Sequence, residues 1–180
     1  MRYFKKLIGN EIYLSPMNVD DAEIYTKWLN DVAVSEYLGM FRTMVSLQSE
    51  RKALEQMVSE GHNFAIVRKK DDALTGNISL MDVDSINRKA CVGLFIGEFK
   101  NRSKGYGAEA LRLILNYGFK TLNLNNIMLR VDSDNEQGIS CYRKTGFREF
   151  GRRHESSFKD GRYVDTVYME ILSAEFYESQ

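Results

Sequence analysis

Residues 102–107, with the sequence Arg-Ser-Lys-Gly-Tyr-Gly, precede a stretch with helical periodicity. Glycine has no Cβ, so backbone N–H groups in this segment can approach a ligand closely, and free N–H groups at a helix start attract phosphate oxygens. Arg102 and Lys104 add positive charge that can meet a phosphate directly. The segment therefore predicts a pyrophosphate-binding loop, although Gly105 and Gly107 could also serve only to turn the chain into the helix.

Asn135 and Tyr142 follow about thirty residues later, on a second predicted helix. They are seven residues apart and therefore lie on one helical face, two turns from each other. Gly138 lies on the same face and leaves room for a ligand. Taken alone, these residues favour a simpler interpretation, with Asn135 as a helix N-cap and Tyr142 as a half-buried packing residue. Together with the glycine loop, they indicate group transfer from a phosphorylated carrier, with a tyrosine able to handle a proton.

A rival interpretation of the loop is a dinucleotide-binding motif. Residues 105–110 match the pattern GxGxxA, and Asp132 lies at the distance where a ribose-binding acid is expected. The dinucleotide motif, however, directly follows its strand. Here the polar residues 98–104 separate Gly105 from a strand ending near Ile96, and the preceding strands look antiparallel. We therefore reject this interpretation.

The composition restricts the class of protein. A chain of 180 residues is long enough for one domain, which we place at 1–180, and 43% hydrophobic residues indicate a packed core. The 25 basic and 25 acidic residues argue against a nucleic-acid or anionic-membrane partner. Cys91 and Cys141 form no CxxC pair and are expected to be reduced thiols. We expect a cytoplasmic protein with no metal site. A homodimer is compatible with the sequence, which does not determine the oligomeric state.

The first half of the chain predicts helices followed by an antiparallel meander. A short strand at 11–14 is ended by Pro16, and helices are expected at 19–29 and within 47–58, the second stopped by Gly61. The apolar period then changes to two. This change predicts three strands, at 64–68, 75–83 and 89–96.

The second half alternates helices and strands. An apolar stripe runs along a helix at 105–122, and a strand at 126–131 leads to a helix at 135–145. A strand begins at Phe147, and Asp160-Gly161 predicts a hairpin turn between 155–158 and 163–171. Because strand–helix–strand units normally form parallel crossovers, we expect an α/β (α+β) fold with a mixed sheet and helices on both faces.

At these residues the sequence resembles the GNAT superfamily of N-acetyltransferases, in particular the branch with ribosomal-protein N-terminal and spermidine acetyltransferases. Residues 102–119 match the acetyl-CoA motif [RQ]-x-x-G-x-[GA] of that family. Residues 129–147 match its N-x-x-[AG]-x-x-x-Y-x-x-x-GF element, and DGRYVD follows at 160–165. Two linked motifs at the family's spacing are far more specific than either alone, and they outweigh the simpler structural interpretations.

The resemblance implies a mostly antiparallel mixed sheet of about seven strands with a splayed central parallel pair, and acetyl-CoA as the cosubstrate. In such a fold the loop backbone holds the pyrophosphate, the end of one strand pairs with the pantetheine amides, and an asparagine binds the pantetheine arm. Tyr142 would be the catalytic proton donor near the sulfur. The cofactor-binding residues implied here are Phe95, Ile96, Gly97, Arg102, Ser103, Lys104, Gly105, Tyr106, Gly107, Asn135 and Tyr142.

The resemblance further implies direct attack of a primary amine on the acetyl thioester, with a backbone N–H near Phe95 or Ile96 meeting the oxyanion. The amine could belong to a protein N-terminus or to a small molecule such as a polyamine. A strand glutamate common in the family is missing, because Cys91 and Val92 stand ahead of Gly93. This weakens the polyamine case, although acids of the first helices could substitute for it: Asp20, Asp21, Glu23 and Glu36.

The sequence does not identify the general base, for which the candidates are His62, Glu36 and Glu98. The alternative to an enzyme is a non-catalytic CoA-binding or sensory module, against which the presence of Tyr142 argues. A nicotinamide oxidoreductase is a distant third.

Overall fold

The computed structural model describes residues 2–38 and 43–178. Six α-helices occur in this part of the chain: α1 Ala22–Leu29, α2 Val32–Ser35, α3 Leu47–Glu60, α4 Tyr106–Asn116, α5 Glu136–Lys144 and α6 Ser173–Glu178. The strands are β1 Leu7–Ile8, β2 Ile12–Pro16, β3 Asn63–Arg68, β4 Ala73–Asp84, β5 Lys89–Ile96, β6 Asn126–Asp132, β7 Arg148–Lys159 and β8 Arg162–Leu172. No helix within the described ranges is long and apolar enough to cross a membrane.

The strands form one mixed sheet in the order β1-β2-β3-β4-β5-β6-β8-β7. The parallel pair is β5–β6, in which Lys89, Ala90 and Cys91 are in register with Asn126, Ile127 and Met128. The pairs β1–β2, β2–β3, β3–β4, β6–β8 and β7–β8 are antiparallel. The predicted fold class is confirmed, with eight strands where about seven were expected. The two-residue strand β1 is too short to give a periodic signal.

The chain divides into two compact units, one of residues 1–79 and 94–113 and the other of residues 80–93 and 114–180. The boundary between them falls within β4, β5 and α4. A single domain over 1–180 stays a prediction.

In the first unit, β3 pairs antiparallel with β2 and with the start of β4, so the first strand pair of the predicted meander, 64–68 with 75–83, is present. Helix α3 begins with a capping box, in which the Ser46 side chain accepts from the Ser49 N–H and the Ser49 hydroxyl accepts from the Ser46 N–H. It ends at Gly61, whose φ of 81° needs a residue without Cβ. Helices α1 and α3 share an apolar cluster made of Met17, Ala22, Tyr25, Trp28, Val34 and Leu54.

In the second unit, the predicted hairpin is present, and Asp160 and Gly161 both have positive φ, at 45° and 80°. This is the backbone sign pattern of a type I′ turn. Two expectations were wrong. The helix predicted to reach residue 122 changes to a π-helical turn at Tyr117–Thr121. The strand after α5 and the first hairpin arm are one strand, β7, whose register with β8 shifts between Arg153 and Ser157. Helices α2 and α6 were not predicted, because four and six residues are too few to show a period.

Candidate active site

The glycine loop has a backbone shaped for an anion. Ser103 and Gly105 have φ of 58° and 83°, while Lys104 between them has a negative φ. Such alternation can turn successive N–H groups toward one side, an arrangement that suits an anion. Helix α4 begins directly afterwards at Tyr106, and its first N–H groups have no carbonyl partner within the helix. The loop therefore combines two backbone devices for binding phosphate.

Arg68 of β3 positions this loop. Its guanidinium donates to the side-chain oxygen of Asn101, which directly precedes the loop, at 3.1 Å. Asp71 fixes the guanidinium through two hydrogen bonds, of 2.8 and 2.7 Å. At Gly105 a Cβ would meet nothing within 4 Å, so the space beside this residue is open.

The end of β5 is held by close packing at two glycines. A Cβ on Gly97 would lie 2.1 Å from the Trp28 ring, and a Cβ on Gly76 would lie 2.1 Å from the Phe95 carbonyl oxygen. The Gly97 N–H donates to the Thr75 carbonyl at 2.9 Å. The Phe95 ring makes edge contacts with Trp28 and with Tyr25 of α1, each with 6.0 Å between ring centroids. The strand end expected to meet the pantetheine is thus rigid. Phe95 and Ile96 are both half-buried.

Asn135 and Tyr142 belong to the second unit, whereas residues 95–97 and 102–107 belong to the first. Asn135 is the N-cap of α5, and its Oδ1 accepts from the Gly138 N–H at 2.8 Å. The space beside Gly138 is filled by the Asn135 side chain, since a Cβ there would come within 2.8 Å of Asn135 Nδ2. The missing Cβ at Gly138 therefore makes space for the capping side chain of Asn135 and not for a ligand. Among the described residues, Nδ2 has no hydrogen-bond partner and stays available as a donor.

Tyr142 is half-buried, and its ring packs edge-on against Phe147 with 6.0 Å between centroids. Its hydroxyl has no hydrogen-bond partner in the described part of the chain. Burial raises the pKa of Tyr142 well above its ordinary value, and the thiols of Cys141 and Cys91 raise it further. The phenol is therefore protonated at neutral pH and can donate a hydrogen bond.

Asp132, the acid of the rejected dinucleotide interpretation, is committed to an ion cluster. Its carboxylate lies 2.5 Å from the buried Lys159 ammonium and accepts from the Ser157 hydroxyl at 3.1 Å. Lys159 also reaches Asp134 at 3.4 Å, and Arg162 reaches Asp134 at 3.2 Å. These contacts bind β7 and β8 to the end of β6.

Of the acids and the histidine named from the sequence, only Asp21 is fully buried. Glu98 pairs with Lys100 at 2.7 Å, Asp20 and Glu23 are exposed, and Glu36 and His62 are half-buried. Asp21 is fully buried, but its Oδ1 accepts from the Tyr3 hydroxyl at 2.9 Å and is ion-paired with Arg2.

Sequence reasoning missed Glu50. This residue of α3 is 6% exposed, and its carboxylate has no hydrogen bond or ion pair with any described residue. On a mostly polar helix a glutamate resembles a surface residue. The available signal was its spacing of four from Leu54, which places both side chains on the buried face.

The profile of the family described as acetyltransferase (GNAT) domain matches residues 11–148. The chain belongs to the GNAT acetyltransferase family. As a GNAT enzyme it is an acetyl-CoA-dependent N-acetyltransferase, which sets aside the non-catalytic alternative.

Relatives and solved structures agree with this assignment. The GNAT chain is 31% identical over 170 residues to the spermidine N(1)-acetyltransferase of Escherichia coli strain K12, covering 93% of this chain and 89% of the relative. It is 34% identical over 107 residues to the putative ribosomal N-acetyltransferase YdaF of Bacillus subtilis, covering 59% and 57%. The crystal structure of the Vibrio cholerae spermidine N-acetyltransferase in complex with CoA and spermine has the same fold, with a TM-score of 0.84 at 23% identity over 94% and 99% of the two chains.

Proposed function

We propose that this enzyme acetylates a primary amine of a short alkyl polyamine by direct attack on the acetyl thioester. The observation that carries the mechanism is the Tyr142 hydroxyl, which is unpartnered among the described residues and protonated at neutral pH. The acceptor class is supported by the spermidine N(1)-acetyltransferase that is 31% identical over 93% of the chain.

Acetyl-CoA supplies an activated acetyl group and a thiol leaving group. Its pyrophosphate would be held by the loop backbone, where the positive φ of Ser103 and Gly105 and the start of α4 create an anion site. The loop residues in this role are Arg102, Ser103, Lys104, Gly105, Tyr106 and Gly107. The free Nδ2 of Asn135 would donate to a pantetheine carbonyl. The strand end at Phe95, Ile96 and Gly97 would pair with the pantetheine amides.

Tyr142 would act on the leaving sulfur mainly as a hydrogen-bond donor. A free thiol has a pKa near 8.5 and a free tyrosine near 10, so complete proton transfer from tyrosine to thiolate is uphill by about 2 kcal/mol. Burial, which raises the pKa of Tyr142, makes that transfer less favourable. The hydroxyl would therefore stabilise negative charge developing on sulfur. The attacking nitrogen loses one proton as the amide forms, and the CoA thiolate would gain one to leave as the thiol.

A backbone N–H near Phe95 or Ile96 would stabilise the oxyanion. Removing one such donor typically costs about 10²–10³ in kcat, provided that it is held in place before the reaction. The tight packing of Trp28 on Gly97 and of the Phe95 carbonyl on Gly76 supplies the required rigidity.

A protein N-terminus is the second candidate acceptor. It is favoured by the similarity to YdaF and by the absence of a carboxylate at Cys91 and Val92. An alkyl amine with a pKa near 10.4 needs about 4.6 kcal/mol to become neutral at pH 7, whereas an α-amine near 7.8 needs only about 1 kcal/mol. The two acceptor classes should therefore differ in pH dependence.

The test is release of CoA thiol from acetyl-CoA with spermidine, an aminoglycoside, amino acids and short peptides that have free N-termini. We expect turnover with spermidine, and kcat/KM that keeps rising from pH 7 to 9. A preference for peptides, with a plateau above about pH 8, would select the protein N-terminus. No turnover with any amine, although acetyl-CoA binds, would contradict the proposed acceptors.

A further inference from the structure

Two side chains of β4 have buried polar atoms without partners. Asn77 is 8% exposed and Ser79 is 4% exposed, and neither the Asn77 Oδ1 nor the Ser79 Oγ has a hydrogen-bond partner within residues 2–38 and 43–178. Buried polar atoms in native proteins are normally satisfied, so each such atom requires an explanation.

The two side chains lie on the sheet face covered by α3. Directly opposed residues of an antiparallel pair point to the same face, and Ser79 is opposite Asn63. The Asn63 side chain donates to the Met57 carbonyl of α3 at 2.7 Å. Asn77, two residues before Ser79, lies on the same face opposite Ala65. Both unpaired atoms therefore face the layer that α1 and α3 form over the sheet.

The unpaired carboxylate of Glu50 belongs to this layer. Glu50 lies in the first turn of α3, and Tyr25 of α1 is close enough for its pKa, already raised by burial, to be raised further by the Glu50 charge. The Tyr25 hydroxyl is 3.5 Å from the Gly76 carbonyl oxygen, directly before Asn77 in β4. Of the other ionisable groups near Tyr25, Asp21 accepts from Tyr3 and pairs with Arg2 through Oδ1, while its Oδ2 has no hydrogen-bond partner among the described residues.

We propose that Glu50, Asn77 and Ser79 form the acceptor subsite, in which Glu50 pairs with one ammonium of a polyamine and the two β4 side chains accept N–H hydrogen bonds from it. This inference rests on the proposed acetyltransfer to an amine and specifies the residues that select the acceptor. An ammonium has three N–H donors and no acceptor, and this chemistry fits one carboxylate and two neutral oxygens. Glu50 is only 6% exposed, so water solvates its carboxylate poorly, and a bound cation would supply the missing partner.

The test compares spermidine with butylamine, which lacks the additional ammonium groups. In Glu50→Gln, KM for spermidine should rise about tenfold or more because one member of a charge pair is removed, while KM for butylamine stays within about twofold. Glu55→Gln, at an exposed position of the same helix, is the matched control and should change neither value. A Glu50→Gln enzyme with an unchanged KM for spermidine would overturn the subsite and leave the acetyltransferase activity in place.

Thermal stability separates a binding role from a structural one. Burial raises the pKa of Glu50, so the folded state holds its proton more tightly than the unfolded state, and stability falls as pH rises through that raised pKa. Glu50→Gln removes this loss, and its Tm at pH 8 should equal or exceed that of the wild type. A lower Tm together with a higher KM for both amines would assign Glu50 a structural role.

A pair of buried serines, Ser79 in β4 and Ser15 in β2, gives a second control. Ser79→Ala removes an unpaired hydroxyl and should raise KM for spermidine several-fold without lowering Tm. Ser15→Ala removes a fully buried hydroxyl that accepts from the Phe4 N–H and donates to the Pro16 carbonyl, each at 3.0 Å, and should lower Tm without changing KM. Equal responses of KM to the two variants would contradict the proposal.

Discussion

At the residue scale, the proposed chemistry depends on the Tyr142 hydroxyl. Tyr142→Phe removes a hydroxyl with no partner in the described structure, and the ring can keep its contact with Phe147. Stability should therefore change little. Because general-acid or hydrogen-bond help to a leaving group is typically worth about 10²–10⁴-fold, kcat should fall at least tenfold with the Kd for acetyl-CoA unchanged. Steady-state kinetics and a titration with acetyl-CoA measure the two quantities. Unchanged turnover would remove Tyr142 from the reaction.

The pH dependence of kcat tests the protonation state of the same Tyr142 hydroxyl. Burial raises the pKa of Tyr142, so its proton is held above the pH near 10 at which a free tyrosine ionises. We expect kcat at saturating substrate to show no descending limb between pH 7 and 9.5, provided that the protein stays folded. A loss of activity centred near pH 8 in the wild type, absent from Tyr142→Phe, would mean that the hydroxyl ionises much earlier than its surroundings indicate.

At the element scale, the glycine loop can be tested against a matched glycine elsewhere. Gly105 and Gly61 both have positive φ, at 83° and 81°, and a Cβ would meet nothing within 4 Å at either position. Each substitution by alanine should therefore cost a similar strain of about 1 kcal/mol. Gly105→Ala should also raise KM for acetyl-CoA several-fold, because it changes the backbone that faces the pyrophosphate. Equal KM values in the two variants would refute the loop assignment.

At the scale of the whole molecule, carrier binding should appear as stability. A ligand at 100 times its Kd stabilises the folded state by about 2.7 kcal/mol. For a chain of this length, that corresponds to a rise in Tm of about 5–10 °C. Differential scanning fluorimetry with CoA should show this shift, and Gly105→Ala should reduce it at the same CoA concentration. NAD should give no shift. A comparable shift with NAD would revive the dinucleotide interpretation, which the commitment of Asp132 to Lys159 opposes.

Features set by neighbouring residues were predictable. The meander strands, the Gly61 helix end and the Asp160-Gly161 turn each depend on local backbone preference or on apolar period. The helix tail at Tyr117–Thr121 and the continuous strand β7 were misread, because a π turn preserves an apolar stripe and a register shift interrupts the strand period. Local rules cannot distinguish these irregular elements from regular ones.

The sequence by itself determined the family and the N-cap position of Asn135, since each depends on residues that lie close together along the chain. Only the tertiary structure decided which polar groups are buried with partners and which without. Lys159 neutralises Asp132 from 27 positions away, whereas Asn77 Oδ1 and Ser79 Oγ are buried without a partner among the described residues, and Glu50 is 6% exposed without a described ion pair. Burial and pairing depend on tertiary contacts between elements that are distant in sequence. The type of a residue and its sequence neighbours do not specify those contacts.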